Sequence, residues 1–425
     1  MRVAFISFEY PPDSNNGGIA TYVGQATRML ARLGHSVEVF AASPRRSVVE
    51  ASGSLRTHWI KTESPTDFAV KAGHLFAIRH REHRFDVLEG PEYRADARVA
   101  VRLVPDIPLL VKMHTPFRTI VKLNDPIKVR PFLTYQAKQF LLCLNSLSKG
   151  NRPSPWTWDY QEESIEWDRI ERQHVGEADI VAPPCRSLHE FARDRWEVPE
   201  DKLRLSPYPY TPSSEMLNID SKTSSGKRVT FVGRLERRKG VETLTKAIPS
   251  VLKQVPDAVF EFVGAPTFRI ASKETYDAWI RRKLKGLSSC VEFTGRLPLT
   301  EISRVYERAS ICVFPSLWEN FPNVCLEAMS AGRAVIGSSA GGMSDMLNGG
   351  ELGLLPRPNS ATELATCIVS LLKNEEQRAY FGAAARERVL TEYCESRISE
   401  MMLHQYSEAI SIRGGRKRKI IGDLI

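Results

Sequence analysis

The chain of 425 residues exceeds the usual size of one hydrophobic core, so its length predicts two domains of roughly 200 residues each. Hydrophobic residues make up 42% and charged residues 26% of the chain, and no apolar run approaches the roughly 20 residues that span a bilayer, so we expect a soluble globular protein. The seven cysteines lack paired spacing, which argues against a disulfide framework or a zinc site and favours the cytoplasm.

The net charge of +9 is concentrated in part near the C-terminus, where a Gly-containing segment carries Arg413, Arg416, Lys417, Arg418 and Lys419. Two interpretations of this predicted basic tail, residues 413–425, stay open. It is either a solvated segment or a contact with an anionic membrane, which would place the protein peripherally at the inner face. No basic patch is interleaved with aromatic residues elsewhere, so nucleic acid is not an expected partner.

The first part of the chain alternates strand and helix signals. The apolar run Arg2–Phe8 predicts a strand, and the segment Pro11–Gly18 interrupts it. Apolar residues then recur at helical spacing from Ile19 to Leu33, and Ser36–Ala42 predicts a second strand. Further strands are predicted at Phe85–Glu89, Leu109–His114 and Asp179–Ala182. This strand–loop–helix–strand order is typical of parallel α/β sheets, which bind ligands at the carboxyl ends of their strands.

The second part repeats the alternation after a Pro- and Ser-rich stretch, residues 203–226, that predicts a linker. Strands are predicted at Arg228–Val232, Ala258–Val263, Val291–Thr294, Ile311–Pro315 and Ala334–Ser338. Helices are predicted at Gly240–Lys253, Leu299–Ala309, Glu375–Glu392 and Ser396–Ile412. The predicted fold class is therefore α/β, with two Rossmann-like domains. Their predicted limits are 1–205, with a helical insertion at about 116–176, and 226–395.

The segment Pro315–Gly332 carries the strongest chemical signal. It places Glu319 and Glu327 on either side of a predicted helix start, with Pro322 in the first turn. The backbone N–H groups of Phe321, Asn323 and Val324 would then point out of the helix end and bind an anion. Carboxylates beside such an end can accept hydrogen bonds from sugar hydroxyls, which is the arrangement that a nucleotide-sugar binder needs.

A second segment, Gly233–Gly240, follows the first strand of the second half. Arg234 can present a fork of N–H groups to phosphate oxygens, and Lys239 can add a point charge. The alternative is a solvated basic turn, and we assign Arg237 and Arg238 to such a turn.

First-domain candidates lie at predicted strand ends. Gly17 and Gly18 would let a phosphate approach the backbone closely, although a plain tight turn explains them equally. His114 ends an apolar strand and would face the cleft, whereas a lone histidine is more often structural. Glu89 and Glu92 end another strand, and either carboxylate could bind an acceptor hydroxyl or cap a helix.

Three segments in this order, Pro11–Gly18, Gly233–Gly240 and Glu319–Gly332, resemble the retaining glycosyltransferases of family 4, also called glycosyl transferases group 1. The resemblance spans nearly the whole chain and is weakest at 116–176. It implies the GT-B fold, in which two Rossmann-like domains face each other across a cleft. The first would bind the acceptor and the second the donor, and the terminal helix would pack back on the first.

The resemblance also implies residue roles. Arg234 and Lys239 would contact the donor diphosphate, Glu327 the ribose hydroxyls, and Glu319 the transferred sugar. His114 would contact the donor sugar near the reacting carbon. The implied donor site comprises Gly17, Gly18, Arg234, Lys239, Gly264, Arg296, Leu297, Glu319, Asn320, Phe321, Pro322, Asn323, Val324 and Glu327. Where the family often has Glu-Gly-Phe-Gly, this chain has Glu319–Pro322, and an Asp345-containing loop replaces a usual Pro-Glu pair.

The implied reaction is transfer of a sugar from a nucleoside diphosphate sugar to a hydroxyl acceptor, with retention of anomeric configuration. A UDP-sugar is favoured over a GDP-sugar, and the acceptor would be a glycan, a lipid-linked glycan of polysaccharide biosynthesis or a small molecule. No Asp-x-Asp pair occurs, so we expect a front-face reaction without a metal ion or cofactor. The alternatives are a catalytically idle nucleotide-sugar-binding scaffold subunit, a phosphorylase or a GT-B-type epimerase.

Overall fold

The structure is a computed structural model that describes residues 1–14, 17–124, 156–220, 226–269 and 274–422. The first sheet has the strand order β3-β4-β2-β1-β5-β6-β7, and only the β3–β4 pair is antiparallel. Its strands are β1 (Arg2–Ser7), β2 (Ser36–Ser43), β3 (Val48–Ser52), β4 (Leu55–Lys61), β5 (Val87–Pro91), β6 (Leu109–Lys112) and β7 (Ile180–Ala182).

The helices that accompany this sheet begin at the loop after β1. They are α1 (Gly18–Arg32), α2 (Pro65–Glu82), α3 (Arg98–Leu103), α4 (Phe117–Asn124), α5 (Trp156–Glu177), α6 (Arg186–Trp196) and α7 (Ser214–Leu217). Helices α4 and α5 contact each other over the part of the predicted insertion that the structure describes, and residues 125–155 lie outside that description.

The second sheet is parallel throughout and has the strand order β10-β9-β8-β11-β12. Its strands are β8 (Arg228–Val232), β9 (Val259–Val263), β10 (Val291–Gly295), β11 (Ile311–Val313) and β12 (Ala334–Ile336). The helices that follow β8 are α8 (Val241–Leu252), α9 (Tyr276–Lys283), α10 (Leu299–Arg308), α11 (Asn323–Ser330), α12 (Met343–Met346), α13 (Ala361–Lys373), α14 (Glu375–Glu392) and α15 (Glu395–Gly422).

Both sheets reverse their strand order at their first strand, since β1 lies between β2 and β5, and β8 lies between β9 and β11. Such reversal points open a crevice at the carboxyl ends of the strands, where ligands of α/β proteins bind. The fold therefore places the loops after β1 and β8 at two ligand-binding edges. The apolar strands that define these edges are almost wholly buried, as expected for parallel sheets covered on both faces.

Helix α15 returns from the second sheet and packs on β5, β6 and β7 of the first. The Tyr406 hydroxyl donates to Glu89 over 2.6 Å, and Arg413 Nε donates to Asp179 over 2.8 Å. The boundary predicted for a basic tail at residue 413 is therefore wrong, because Arg413 lies within the helix and is tied to the first domain. No helix in the described ranges is both long and apolar enough to traverse a bilayer.

Candidate active site between the two sheets

The centre of the site is Glu319, which lies between β11 and α11 and is only 5% exposed. Lys239 Nζ forms an ion pair with Glu319 Oε1, and Arg238 Nη1 donates to the same oxygen over 3.1 Å. Burial alone would raise the pKa of Glu319, but Lys239 and Arg238 outweigh it and hold that pKa below its usual value. Glu319 is therefore a fixed carboxylate at neutral pH.

The close approach of the two loops depends on Gly240. This residue ends the short 3-10 turn Arg237–Lys239 with φ 74°, a left-handed conformation that favours glycine. A Cβ at this position would lie 1.7 Å from the carbonyl oxygen of Pro315, so no larger residue fits. The glycine thus lets the loop after β8 press against the segment that carries Glu319.

Arg238 is the main site residue that the sequence interpretation missed. Its side chain is only 11% exposed and pairs with Glu236 at 2.8 Å as well as with Glu319. Its backbone N–H donates to Asn124 Oδ1 over 3.2 Å, and Arg237 Nη1 donates to the Leu123 carbonyl over 2.9 Å. The assignment of Arg237 and Arg238 to a solvated turn is wrong, because both residues connect this loop to α4 of the first domain.

Arg234 occupies a different environment from its neighbours. Its side chain is 53% exposed, and its nearest carboxylate is Glu236 at 3.5 Å. It is nevertheless close enough to contribute to lowering the pKa of Glu319. The structure thus leaves the Arg234 guanidinium open to the cleft, while Lys239 is held by a protein carboxylate.

The helix start in this region differs slightly from the prediction. Pro322 is the extended N-cap residue, with φ −72° and ψ 120°, and α11 begins at Asn323 rather than at the proline. The Phe321 N–H donates to Asn320 Oδ1 over 2.6 Å, so it is already used within the chain. The free end of the helix is therefore provided by residues 323 and 324, and the Asn323 Oδ1 atom is buried without a partner among the described residues.

Glu327 lies one turn further along α11. Its Oε2 accepts a 2.9 Å hydrogen bond from the Tyr306 hydroxyl. Burial raises the pKa of Glu327 to about 7, and the hydrogen bond from Tyr306 opposes the rise. Tyr306, on α10, was not identified from the sequence. Its position in the helical pattern is the same as that of an ordinary core residue.

His114 follows β6 and faces the second domain. Its Nδ1 lies 2.6 Å from the Tyr208 hydroxyl, and that hydroxyl accepts a 2.9 Å hydrogen bond from Asn320 Nδ2. Its Nε2 is buried without a hydrogen-bond partner in the described part of the chain. Burial, assisted by the charge of Lys112, lowers the pKa of His114 to about 3, so the imidazole is neutral. Tyr208 therefore links His114 to the segment that carries Glu319.

The two first-domain carboxylates predicted to bind an acceptor are interior. Glu89 accepts 2.6 Å hydrogen bonds from the hydroxyls of both Tyr22 and Tyr406, one on each oxygen. Glu92 is fully buried, and its Oε2 accepts a 2.7 Å hydrogen bond from the His114 backbone. Because both carboxylates serve internal contacts, this placement favours the structural interpretation of Glu89 and Glu92.

The remaining predicted positions lie in loops and at the ends of helices and strands. Gly17 precedes α1 and Gly18 is its first residue, at the carboxyl end of β1. Gly264 donates to the Gly295 carbonyl over 2.8 Å, and Arg296 and Leu297 follow at the end of β10. The Gly341 loop pairs with Glu319, while Asp345 accepts from the Arg186 backbone over 2.6 Å and so has a structural partner. No cluster of three or more metal-ligating side chains was found within the described ranges.

This arrangement defines a class of protein: two Rossmann-like domains with an Arg–Lys loop and a carboxylate pair at their interface are the features of a GT-B glycosyltransferase. Sequence comparison agrees, because the profile described as "Glycosyl transferases group 1" matches residues 226–374 and that described as "Glycosyl transferase 4-like domain" matches residues 17–209. The chain belongs to this family of glycosyltransferases, which confirms the resemblance and the enzyme class inferred from the sequence.

Curated relatives cover nearly the whole chain. A D-inositol 3-phosphate glycosyltransferase of Corynebacterium aurimucosum is 27% identical over 97% of each sequence. An uncharacterized glycosyltransferase of Methanocaldococcus jannaschii is 24% identical over 97% of this chain and all of the other.

Solved structures confirm the GT-B fold. The sucrose-phosphate synthase of Thermosynechococcus elongatus superposes with a TM-score of 0.71 at 23% identity, over 97% of this chain and 100% of that one. HepE of Anabaena, solved in complex with UDP-glucose, superposes with a TM-score of 0.64 at 15% identity, over 96% and 100%.

Proposed function

We propose that the protein is a retaining glycosyltransferase that moves a sugar from a nucleoside diphosphate sugar to a hydroxyl acceptor without a metal ion. The observation that carries the proposal is the fixed Glu319, held by Arg238 and Lys239 beside the start of α11, with Arg234 open to the cleft. A carboxylate in that position can bind sugar hydroxyls, while the cations and the helix end receive a diphosphate.

The donor is proposed to be a UDP-sugar. Structural neighbours support the choice, since HepE was solved with UDP and with UDP-glucose, whereas a plant starch synthase was solved with ADP. Glu327 is proposed to bind the ribose hydroxyls, because only one of its oxygens is committed to Tyr306. The backbone at Gly264 and at residues 295–297 is proposed to contact the base.

The proposed chemistry is a front-face substitution. The bond between the anomeric carbon and the diphosphate oxygen breaks, the leaving diphosphate takes the acceptor proton, and the acceptor oxygen bonds to the same face. Negative charge builds on the leaving phosphate, which Arg234 and Lys239 are proposed to stabilise, and each preorganised group commonly contributes about 3 kcal/mol. The burial of Glu89 and Glu92 supports this route, because neither carboxylate is exposed to a donor sugar as a nucleophile.

Neutral His114 is proposed to orient the donor sugar. Its lowered pKa keeps it uncharged, and its unpaired Nε2 is available for one hydrogen bond to a hydroxyl. The Tyr208–Asn320 link would place this contact in register with Glu319.

We propose that the protein acts in the cytoplasm, with an acceptor from a glycan or lipid-linked glycan of polysaccharide biosynthesis. The basic residues at the end of α15 support a peripheral contact with an anionic inner membrane face. Sedimentation with anionic vesicles, compared with a chain ending at residue 415, tests this part of the proposal. Equal sedimentation of both chains would contradict it.

The donor site is tested by thermal unfolding with UDP, GDP and ADP, each with and without EDTA. A nucleotide at 100 times its dissociation constant adds about 2.7 kcal/mol to the free energy of unfolding. We expect UDP to stabilise the protein regardless of EDTA, and Glu327→Ala to reduce the shift. Stabilisation that vanishes with EDTA would contradict metal independence.

Turnover separates the rival functions. A scaffold subunit would bind UDP but release none from a UDP-sugar, and an epimerase would change the sugar without requiring an acceptor. The front-face route predicts retained anomeric configuration in the product, which NMR reads directly, and an inverted product would refute it.

A further inference from the structure

A cavity of about 170 Å³ lies between α3 and α5 of the first domain. Arg98 and Arg102 line it from α3, and Arg169, His174 and Glu177 line it from α5. Helix α3 connects β5 to β6, and α5 leads into β7, so both helices run back from the carboxyl edge of the first sheet to its amino edge. The cavity therefore belongs to the helical layer of this domain and not to the cleft between the domains.

Positive charge dominates the lining of this cavity. Its three guanidinium groups face one lining carboxylate, that of Glu177. Arg169 is paired with Glu166 at 2.7 Å, whereas Arg102 is exposed and has no ion pair or hydrogen bond in the described part of the chain. Because cations that lack matching carboxylates repel one another, a bound anion would relieve this repulsion.

Arg98 is held in position by the protein itself. Its Nη1 donates to the carbonyls of Arg94 and Ala95 over 3.0 and 3.1 Å, and its guanidinium carbon lies 5.7 Å from the centre of the Trp167 ring. Its Nε and Nη2 have no hydrogen-bond partner among the described residues. These two nitrogens form the edge of the fork that binds two oxygens of a phosphate or carboxylate at once. Arg98 is therefore preorganised to receive an oxyanion.

His174 provides an independent indication of a ligand. It is only 1% exposed, and both of its ring nitrogens are buried without a partner within the described ranges. Burial lowers its pKa to about 3, and Arg98 and Arg102 add to the decrease, so the ring is neutral and carries one N–H donor. Since buried polar groups are nearly always satisfied, an unpaired ring beside a cavity indicates that a group in the cavity pairs with it.

We infer that this cavity binds a phosphate group, which accepts hydrogen bonds from Arg98, Arg102 and the N–H of His174. A phosphate presents oxygens in several directions, so it can reach donors on both helices. The cavity is smaller than the roughly 300–1,000 Å³ of pockets that enclose drug-sized ligands, so it holds the phosphate while the rest of the ligand extends into solvent. A soluble phosphate ester and a phospholipid headgroup both supply this group. None of these residues belongs to the proposed donor site, so the inference is independent of the proposed function.

The experiment measures binding of glycerol 3-phosphate and of glycerol to the full-length protein by calorimetry. The protein is first saturated with whichever of UDP, GDP and ADP stabilises it most, so that the proposed diphosphate site is filled. We expect saturable binding of glycerol 3-phosphate and none of glycerol. Sedimentation with phosphatidic acid vesicles, compared with phosphatidylcholine vesicles, tests the lipid source of the same group. Binding to neither glycerol 3-phosphate nor phosphatidic acid overturns the inference.

One variant assigns the binding to this cavity. Arg102→Gln removes an exposed cation without an internal partner, so the fold should be kept. Its affinity for glycerol 3-phosphate should fall about tenfold, equivalent to about 1.4 kcal/mol, and any specific sedimentation with phosphatidic acid should decrease. Arg28→Gln, at an exposed arginine of α1, is the matched control and should bind as the wild type does. Wild-type binding by Arg102→Gln overturns the inference.

NMR of the imidazole rings gives a readout that a purely structural role of His174 would not change. At neutral pH, the ring ¹⁵N resonances of His174 should shift on addition of glycerol 3-phosphate, because its N–H gains an acceptor. The exposed His404 is the control ring and should not respond. Unchanged His174 resonances at saturating glycerol 3-phosphate would place the phosphate elsewhere and overturn the inference.

Discussion

Glu319 of the second domain and the buried carboxylates Glu92 and Asp96 of the first domain have pKa values shifted in opposite directions. In the second domain, Glu319 is buried but receives two cations, and its pKa is lowered. In the first domain, burial raises the pKa of Glu92 to about 8 and of Asp96 to about 7, and each has one oxygen without a hydrogen-bond partner among the described residues. Glu319 is therefore paired with cations of its own domain, whereas Glu92 and Asp96 are buried without an ion pair among the described residues.

The largest expected effect is a loss of kcat when the ion pair of Glu319 with Lys239 is removed. Lys239→Met removes one cation from Glu319 and one proposed contact to the diphosphate, so kcat with a UDP-sugar should fall about 10²–10³-fold. Lys253→Met, at an exposed lysine of the same domain, is the matched control. A loss of kcat below fivefold would contradict the proposed role of Lys239 in the reaction.

A measurement of unfolding stability against pH tests the raised pKa of Glu92 in the first domain. The folded pKa of Glu92, about 8, exceeds the usual value of 4.5 for a glutamate, so the folded protein binds more protons and its stability falls as pH rises through that window. Glu92→Gln should thus increase the free energy of unfolding by roughly 2–4 kcal/mol above pH 8 and leave it unchanged below pH 4.5. Denaturant unfolding from pH 4 to 9 measures this difference in the free energy of unfolding, with Glu82→Gln, at an exposed residue, as the control. A pH-independent difference would contradict it.

Variants of Arg238 separate the effect of its charge on Glu319 from the effect of its geometry. Arg238→Gln should lower kcat about 10–100-fold because it leaves Glu319 with one cation. Arg238→Lys should restore part of the loss, since it keeps the charge without the fork that also reaches Glu236. Steady-state kinetics on both variants decide the point, and identical losses would mean that the charge of Arg238 is irrelevant to Glu319.

The smallest effect is expected at the link between the sides. Tyr208→Phe removes the hydroxyl that joins His114 to Asn320, and kcat should fall about 3–10-fold with KM for the donor nearly unchanged. Tyr380→Phe, at a hydroxyl on the surface, is the control. A larger effect on KM than on kcat would indicate that the link shapes donor binding instead.

The sequence predicted the fold well because strands of a doubly covered parallel sheet are short apolar runs separated by glycine loops. It missed β3, β4 and α2, where Val48 and Val49 are exposed and the helix face is mixed. It named Glu319 and Lys239 from their spacing, since motifs are local. It misplaced Arg238 and overlooked Tyr208, because their partners Asn124 and His114 are more than 90 residues away in sequence.

The return of α15 to the first sheet has a consequence for biosynthesis. Tyr406 completes the hydrogen bonding of Glu89 in β5, and Arg413 reaches Asp179 beside β7. When the ribosome has translated the first domain, Tyr406 and Arg413 of α15, which contact that domain, have therefore not yet been synthesised. The two domains should become protease-resistant together, near chain release. A chain truncated before residue 395 should therefore leave the first domain sensitive to protease.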